Sequence, residues 1–184
     1  YRLGWQESSI LLAGRTDSGV HASGQVASFN LQWKHDATTL VRALNGHLPQ
    51  EMAVGSAEVV HDGFHPRFDA TSRRYVYRLY SQPLRDPLRE RYAWRHWPAL
   101  HGESLHDAAS RIIGRHNFAA FGTPPRPGSS TVRTVKKAEW RSHQDEWFFE
   151  VQADAFLYHM VRRLVFVQVA VGQGKFPAQV LTTM

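Results

Sequence analysis

Between Thr71 and Tyr80 the side chains change face at every step. Arg73, Tyr75, Tyr77 and Leu79 fall on one side of an extended chain, and Arg74, Val76, Arg78 and Tyr80 on the other. A run of this kind fixes a strand with two usable faces, so other segments must supply its neighbours. Thr131 to Ser142 and Trp147 to Ala155 read as an antiparallel hairpin around His143-Gln144-Asp145-Glu146. Directly after it, Phe156 to Val171 sets Leu157, Met160, Val161, Leu164, Val165 and Gln168 at helical spacing and stops at Gly172 and Gly174. A helix from about Glu103 to Arg115 would bury Leu105, Ala109 and Ile112, and Pro177 can start one more.

The first third of the chain reads similarly. Ser8 to Ala13 and Gln25 to Asn30 are short strands around a glycine-rich turn. Asp36 caps a helix through about Leu44, with Leu40, Val41 and Leu44 on one face. Asn45-Gly46 closes that helix and Pro49 forbids its continuation. Met52 to Val60 is a further strand candidate, followed by a polar connection from His61 to Asp69. Pro83 to Pro98 is a basic connector carrying Arg85, Arg89, Arg91 and Arg95, and Gly122 to Ser130 is a Pro/Gly/Ser loop. The order of strands and helices predicts an α+β fold with largely antiparallel sheet and two similar halves. Its 184 residues suffice for one good core, or two small ones sharing a sheet.

No apolar stretch approaches the roughly 18 residues of a membrane span, and the first residues do not read as a signal peptide. Cysteine is absent, which removes disulfides, thiol nucleophiles and Cys-ligated zinc and fits a cytoplasmic location. The net charge of +6 favours a polyanionic partner such as nucleic acid, and aromatic residues among arginines suit base stacking. The plainer alternative is a basic but inert surface.

Ala13 to Gln25, AGRTDSGVHASGQ, sets Asp17 among glycines and small residues, with Arg15 two positions before it. Asp-Ser-Gly is also the turn of aspartic proteases, but those need two carboxylates sharing a proton, and this triplet occurs once. A phosphate-cradling loop fits poorly. No Lys-Ser/Thr follows, the next segment is a strand, and a carboxylate repels phosphate. Taken alone, Asp17 would simply hold a turn.

The longer string changes that reading. Gly14-Arg15-Thr16-Asp17-Ser18-Gly19-Val20-His21-Ala22 resembles the catalytic motif of the TruA family of tRNA pseudouridine synthases, with Ser18 where alanine is commonest. Six more matches follow in the family's order. They are Gly24-Gln25-Val26 with Phe29, Asn45 with Leu48-Pro49, Phe64 to Ala70, Arg73-Arg74-Tyr75-Val76-Tyr77, Phe118 with Phe121, and Ala155 to Arg162. Gly4-Trp5-Gln6 also resembles an early family element. In the family a helix and a strand separate it from the aspartate turn, whereas here only Glu7 to Ala13 intervene. The chain stops at Met184, short of the family's closing strand, and Arg163 and Phe166 stand where the family has a polar residue and a glycine.

The resemblance implies a pseudouridine-synthase fold. Two α/β-sandwich halves, ferredoxin- or RRM-like, would join around a central cleft, with residues 1–69 carrying the aspartate loop and 70–184 the tyrosine strand and arginine helix. It implies isomerisation of uridine to pseudouridine in the anticodon stem-loop of tRNA (positions 38, 39 or 40) by a homodimer, with no cofactor, no metal and no membrane. Asp17 would be the essential carboxylate, attacking C1′ or the uracil ring or assisting loss of a ribose proton. Burial alone would neutralise it, and Arg162 would be the cation that keeps it charged. A plain amphipathic helix could equally let Arg162 snorkel.

Tyr75 would face the substrate, though a strand needs a tyrosine there for packing just as readily. Arg15 would fill the space a flipped base leaves or bind the next phosphate, or only brace the turn. Arg73, Arg74, Arg85 and Arg89 are possible RNA-backbone contacts or a solvated rim. His61 and His65, with Asp62, have metal-compatible spacing, but Gly63 and Pro66 argue against a helix presenting both. A relative that binds RNA without catalysis is the alternative reading, and it would be expected to lack Asp17, Tyr75 or Arg162.

Overall fold

A computed structural model of the chain describes Leu3 and residues 10–183. The Gly4-Trp5-Gln6 element, and the connection from residue 7 as far as residue 9, lie outside the described residues. The chain divides into two compact units, Tyr1–Thr71 and Ser72–Met184. No helix among the described residues is long and apolar enough to cross a membrane.

In the first unit, β1 (Leu11–Leu12) pairs antiparallel with β2 (Ala27–Ser28), Leu11 opposite Ser28. Helix α1 (Ala37–Asn45) begins where the sequence places it. The Asp36 carboxylate accepts from the Thr39 backbone N–H at 2.6 Å, and that bond holds its pKa below the usual carboxylate value. The expected strand from Met52 to Val60 does not form. Asn45 takes its place as a partner for the backbone. Its carboxamide accepts from the Val54 N–H at 2.7 Å and donates to the Val54 carbonyl at 3.0 Å. A side chain thus does what a neighbouring strand would do, and only at one residue. Val59 is left 98% exposed.

The second unit is a five-stranded sheet in the order β4-β3-β7-β6-β5. Its strands are β3 (Arg73–Ser81), β4 (Trp94–His96), β5 (Gly114–Asn117), β6 (Val132–His143) and β7 (Glu146–Ala153). All pairings are antiparallel except β3 with β4. The α+β content and the dominance of antiparallel pairing agree with the sequence. β4 and β5 were not expected. β4 sits inside the basic connector, and β5 takes residues assigned to a helix. That helix, α2 (Gly102–Ser110), ends early because the chain turns back at Gly114, whose φ of +109° suits glycine. Leu105, Ala109 and Ile112 are buried as their spacing demanded.

The alternation along β3 sorts the sheet into two chemistries. Tyr75, Tyr77 and Leu79 lie opposite Val151, Phe149 and Trp147, which lead on to Ala138 and Trp140. This side packs with α2 and α3 (Met160–Gly172) into one apolar core. The buried Trp140 indole donates to Gln168 Oε1 at 2.9 Å, and Gln168 Nε2 donates to the Leu164 carbonyl, so the one amide on the helix stripe is satisfied. The other side is a lattice of charges. Glu139 and Glu150 face each other across the β6–β7 ladder, a repulsive register. Lys137 bridges them at 2.8 and 3.1 Å, Arg141 contacts both, and Arg74 approaches Glu150 at 3.9 Å.

His96 on β4 is 5% exposed. Its Nδ1–H donates to the Pro98 carbonyl at 3.1 Å, and Nε2 has no hydrogen-bond partner among the described residues. Burial lowers its pKa from the usual 6.5, and the Pro98 carbonyl opposes this only in part. The unfolded chain therefore binds a proton where the folded chain does not. Stability is at its full value above about pH 6.5 and falls as pH drops toward the folded pKa. We expect the melting temperature to decline between about pH 7.5 and 5.5, less steeply in His96→Asn. Equal slopes in the two proteins would remove His96 from the account.

Candidate active site

The loop that carries Asp17 is a hairpin connection closed at its base. Beyond β1 and β2, the Ala13 N–H donates to the Val26 carbonyl at 2.9 Å. The Gln25 side chain then clasps Gly14, donating through Nε2 to its carbonyl at 2.6 Å and accepting from its N–H at 3.4 Å. Past this clasp, Asp17 to Val20 form a tight turn, with the Val20 N–H bonded to the Asp17 carbonyl at 3.1 Å. Gly19 adopts φ of +79°, as the third residue of a type II turn requires. Asp17 is half-buried and Arg15 is exposed. The clasp was not foreseen. The sequence places Gln25 at the start of a strand and in the Gly24-Gln25-Val26 match, and nothing in its spacing marks a side chain that turns back onto Gly14.

In the second unit, Tyr75 is half-buried on the apolar side of the sheet, its ring edge-on to Phe156 at 5.0 Å. Two residues on, Tyr77 is partly buried against the same core, and this burial raises its hydroxyl pKa. The positive charge of Arg162 pulls in the opposite direction, which places that guanidinium within electrostatic reach of Tyr77.

Helix α3 begins at Met160 rather than Phe156. Tyr158 makes an isolated bridge with Thr123, and His159 takes φ of +63° before the first helical residue. Arg162 and Arg163 consequently occupy the first turn, where the helix dipole disfavours cations, and no carboxylate accompanies them there. The approach to that turn depends on Gly122. A Cβ on Gly122 would lie 2.5 Å from Leu157 Cβ and 2.9 Å from the Tyr158 carbonyl oxygen. Gly122→Ala is expected to cost about 1–3 kcal/mol of stability by overpacking, read as a lower urea midpoint with unchanged slope.

Of the basic residues singled out, Arg73 donates to the Asp154 carbonyl at 2.8 Å, and Arg74 leans toward Glu150. Arg85 pairs with Glu90 at 2.6 Å. Arg89 is held by Asp145 at 2.7 Å and Glu146 at 3.0 Å, above the Tyr80 ring. Asp145 is the hairpin turn itself, so Arg89 ties the connector to the β6–β7 turn. Among the described residues, no group of three or more His, Cys, Asp or Glu side chains could hold a metal ion.

A tRNA pseudouridine synthase family model matches residues 108–184. The chain is 45% identical over 179 residues to tRNA pseudouridine synthase A of Methylacidiphilum infernorum, covering 96% of this chain and 70% of that protein. The chain belongs to the tRNA pseudouridine synthase family. Tellingly, the synthase A proteins of Dechloromonas aromatica and Paraburkholderia phymatum are 43% and 40% identical, over 90% and 91% of this chain. The chain spans 63% of each of those two proteins, slightly less than two thirds. Members of the family are isomerases, and the matched segment of the family model includes the whole of α3 with Arg162.

Proposed function

We propose that the chain converts uridine to pseudouridine in the anticodon stem-loop of tRNA, at positions 38, 39 or 40, with Asp17 as the essential carboxylate. The observation that carries this reading is the 45% identity over 179 residues to a tRNA pseudouridine synthase A. The tight turn that sets Asp17 among small residues supports it, since a nucleotide must come close to the reacting group.

The reaction breaks the bond from C1′ to N1 of uracil and forms one from C1′ to C5. The hydrogen on C5 leaves to water and N1 gains a proton, so no external reagent is needed. The target base must first leave its stack, at a cost of a few kcal/mol. In this reading Arg162 keeps Asp17 ionised, Tyr75 stands against the uracil, and Arg15 fills the vacated space or takes the neighbouring phosphate. Residues 1–69 supply the carboxylate, and 70–184 supply Tyr75 and Arg162. Among the arginines assigned to the RNA backbone, Arg74 and Arg85 present 64% and 75% of their side chains to solvent. Arg73 and Arg89 are more engaged within the fold and act on RNA chiefly by shaping that surface. A cytoplasmic homodimer completes the proposal.

A tRNA transcript tritiated at uridine C5 tests it directly. Release of tritium into water is the expected result. Binding without release would make the chain a catalytically silent relative, and the absence of both binding and release would overturn the reading.

A further inference from the structure

One turn along α3 from Arg162, and therefore on the same face of the helix, stands Phe166. It is 63% exposed, a large apolar ring left in water. Its plane lies within 15° of parallel to the indole of Trp94, with ring centroids 6.4 Å apart. Trp94 opens the outer strand β4 and is opposite Leu79 in register, so its side chain emerges on the same side of the sheet as Tyr75 and Tyr77. It too is partly exposed, at 37%.

The charges that helix α3 brings to this ring pair have one sign. Helix α3 carries Arg162 and Arg163, respectively four and three residues before Phe166, and no carboxylate. Arg163 is exposed and forms no ion pair with any described carboxylate. A purely apolar partner would gain nothing from an uncompensated guanidinium beside the rings. A partner with a flat π-face and an adjacent negative charge would use both.

We propose that Phe166 and Trp94 form a stacking shelf for an unpaired RNA base, with Arg163 contacting the phosphate next to it. The inference rests on the reading of this chain as an RNA enzyme and extends it to a nucleotide other than the one that reacts. Stacking holds that nucleotide without regard to its identity, since every base has a π-face. It would anchor a loop strand while the target uridine is extruded.

The test is equilibrium binding of a fluorescent anticodon stem-loop RNA, together with tritium release from the same RNA. Phe166→Ala is expected to weaken binding about tenfold, Phe166→Trp to restore it, and the rate at saturating RNA to stay unchanged. Arg163→Gln is expected to weaken binding and lower the slope of log affinity against log salt by about one. Equal affinity for the parent and Phe166→Ala would overturn the shelf. So would a Phe166→Ala defect that tracks loss of a dimer in sedimentation, which would mark the rings as a contact between copies. If the binding pattern holds but no tritium is released, the shelf stands and the enzymatic reading fails. Release with a Michaelis constant indifferent to Phe166 gives the reverse.

Discussion

Asp17→Asn is expected to abolish tritium release, by about 10⁴-fold or more, while the protein stays folded and binds tRNA. Asparagine has the shape of aspartate, and the bond that closes the loop turn uses the Asp17 backbone carbonyl rather than its side chain. The clasp between Gln25 and Gly14 is likewise untouched. What disappears is the negative charge and the nucleophilic oxygen pair. Each tenfold loss corresponds to about 1.4 kcal/mol of barrier, so the expected effect is about 5.5 kcal/mol or more. That exceeds anything a rearranged surface turn would cause. Release that persists undiminished in Asp17→Asn, with the melting temperature unchanged, would remove Asp17 from the chemistry.

Arg162→Gln is the second large effect. If the guanidinium serves the catalytic carboxylate, the rate at saturating tRNA falls by about 100-fold, and affinity and its salt dependence change little. If it serves a phosphate, the loss appears in affinity, and the slope against salt drops by about one. The two roles therefore separate in a single pair of measurements.

The larger elements were legible because their signals are local and repeated. The two faces of β3, the hairpin β6–β7, the cap at Asp36 and the apolar stripe of α3 each rest on several residues that agree. Short strands have no such redundancy. β4 has three residues inside a proline-bearing connector, and β5 has four, of which Gly114 and Arg115 read as the end of the preceding helix. Both exist because neighbouring strands offer them backbone partners, which no local pattern records. The converse holds for Met52 to Val60. Its residues suit a strand, but Asn45 satisfies Val54 and no described strand lies alongside.

The candidate site divides along the same line. Asp17, Tyr75 and Arg162 stand out as candidates because each sits in a distinctive string. Their surroundings do not. The Gln25 clasp spans eleven residues, the nearness of Arg162 to Tyr77 joins a strand to a helix, and the pairing of Trp94 with Phe166 joins an outer strand to that same helix. Sequence spacing measures distance along the chain, and these contacts depend on distance across it.

The lattice of charges on the far side of the sheet has a directional consequence. Arg74, Arg78, Lys137 and Arg141 stand there against Glu139, Glu146 and Glu150, four cations to three carboxylates, interlocked at close range. Seen from a few Debye lengths away, such a wall is almost blank, although the chain as a whole carries +6. An approaching polyanion feels little long-range pull toward it, so Arg74 would take up a phosphate only at contact range, after the unbalanced charges elsewhere have drawn the polyanion in. By cancelling its own field, one side of the sheet helps to decide which side an RNA meets first.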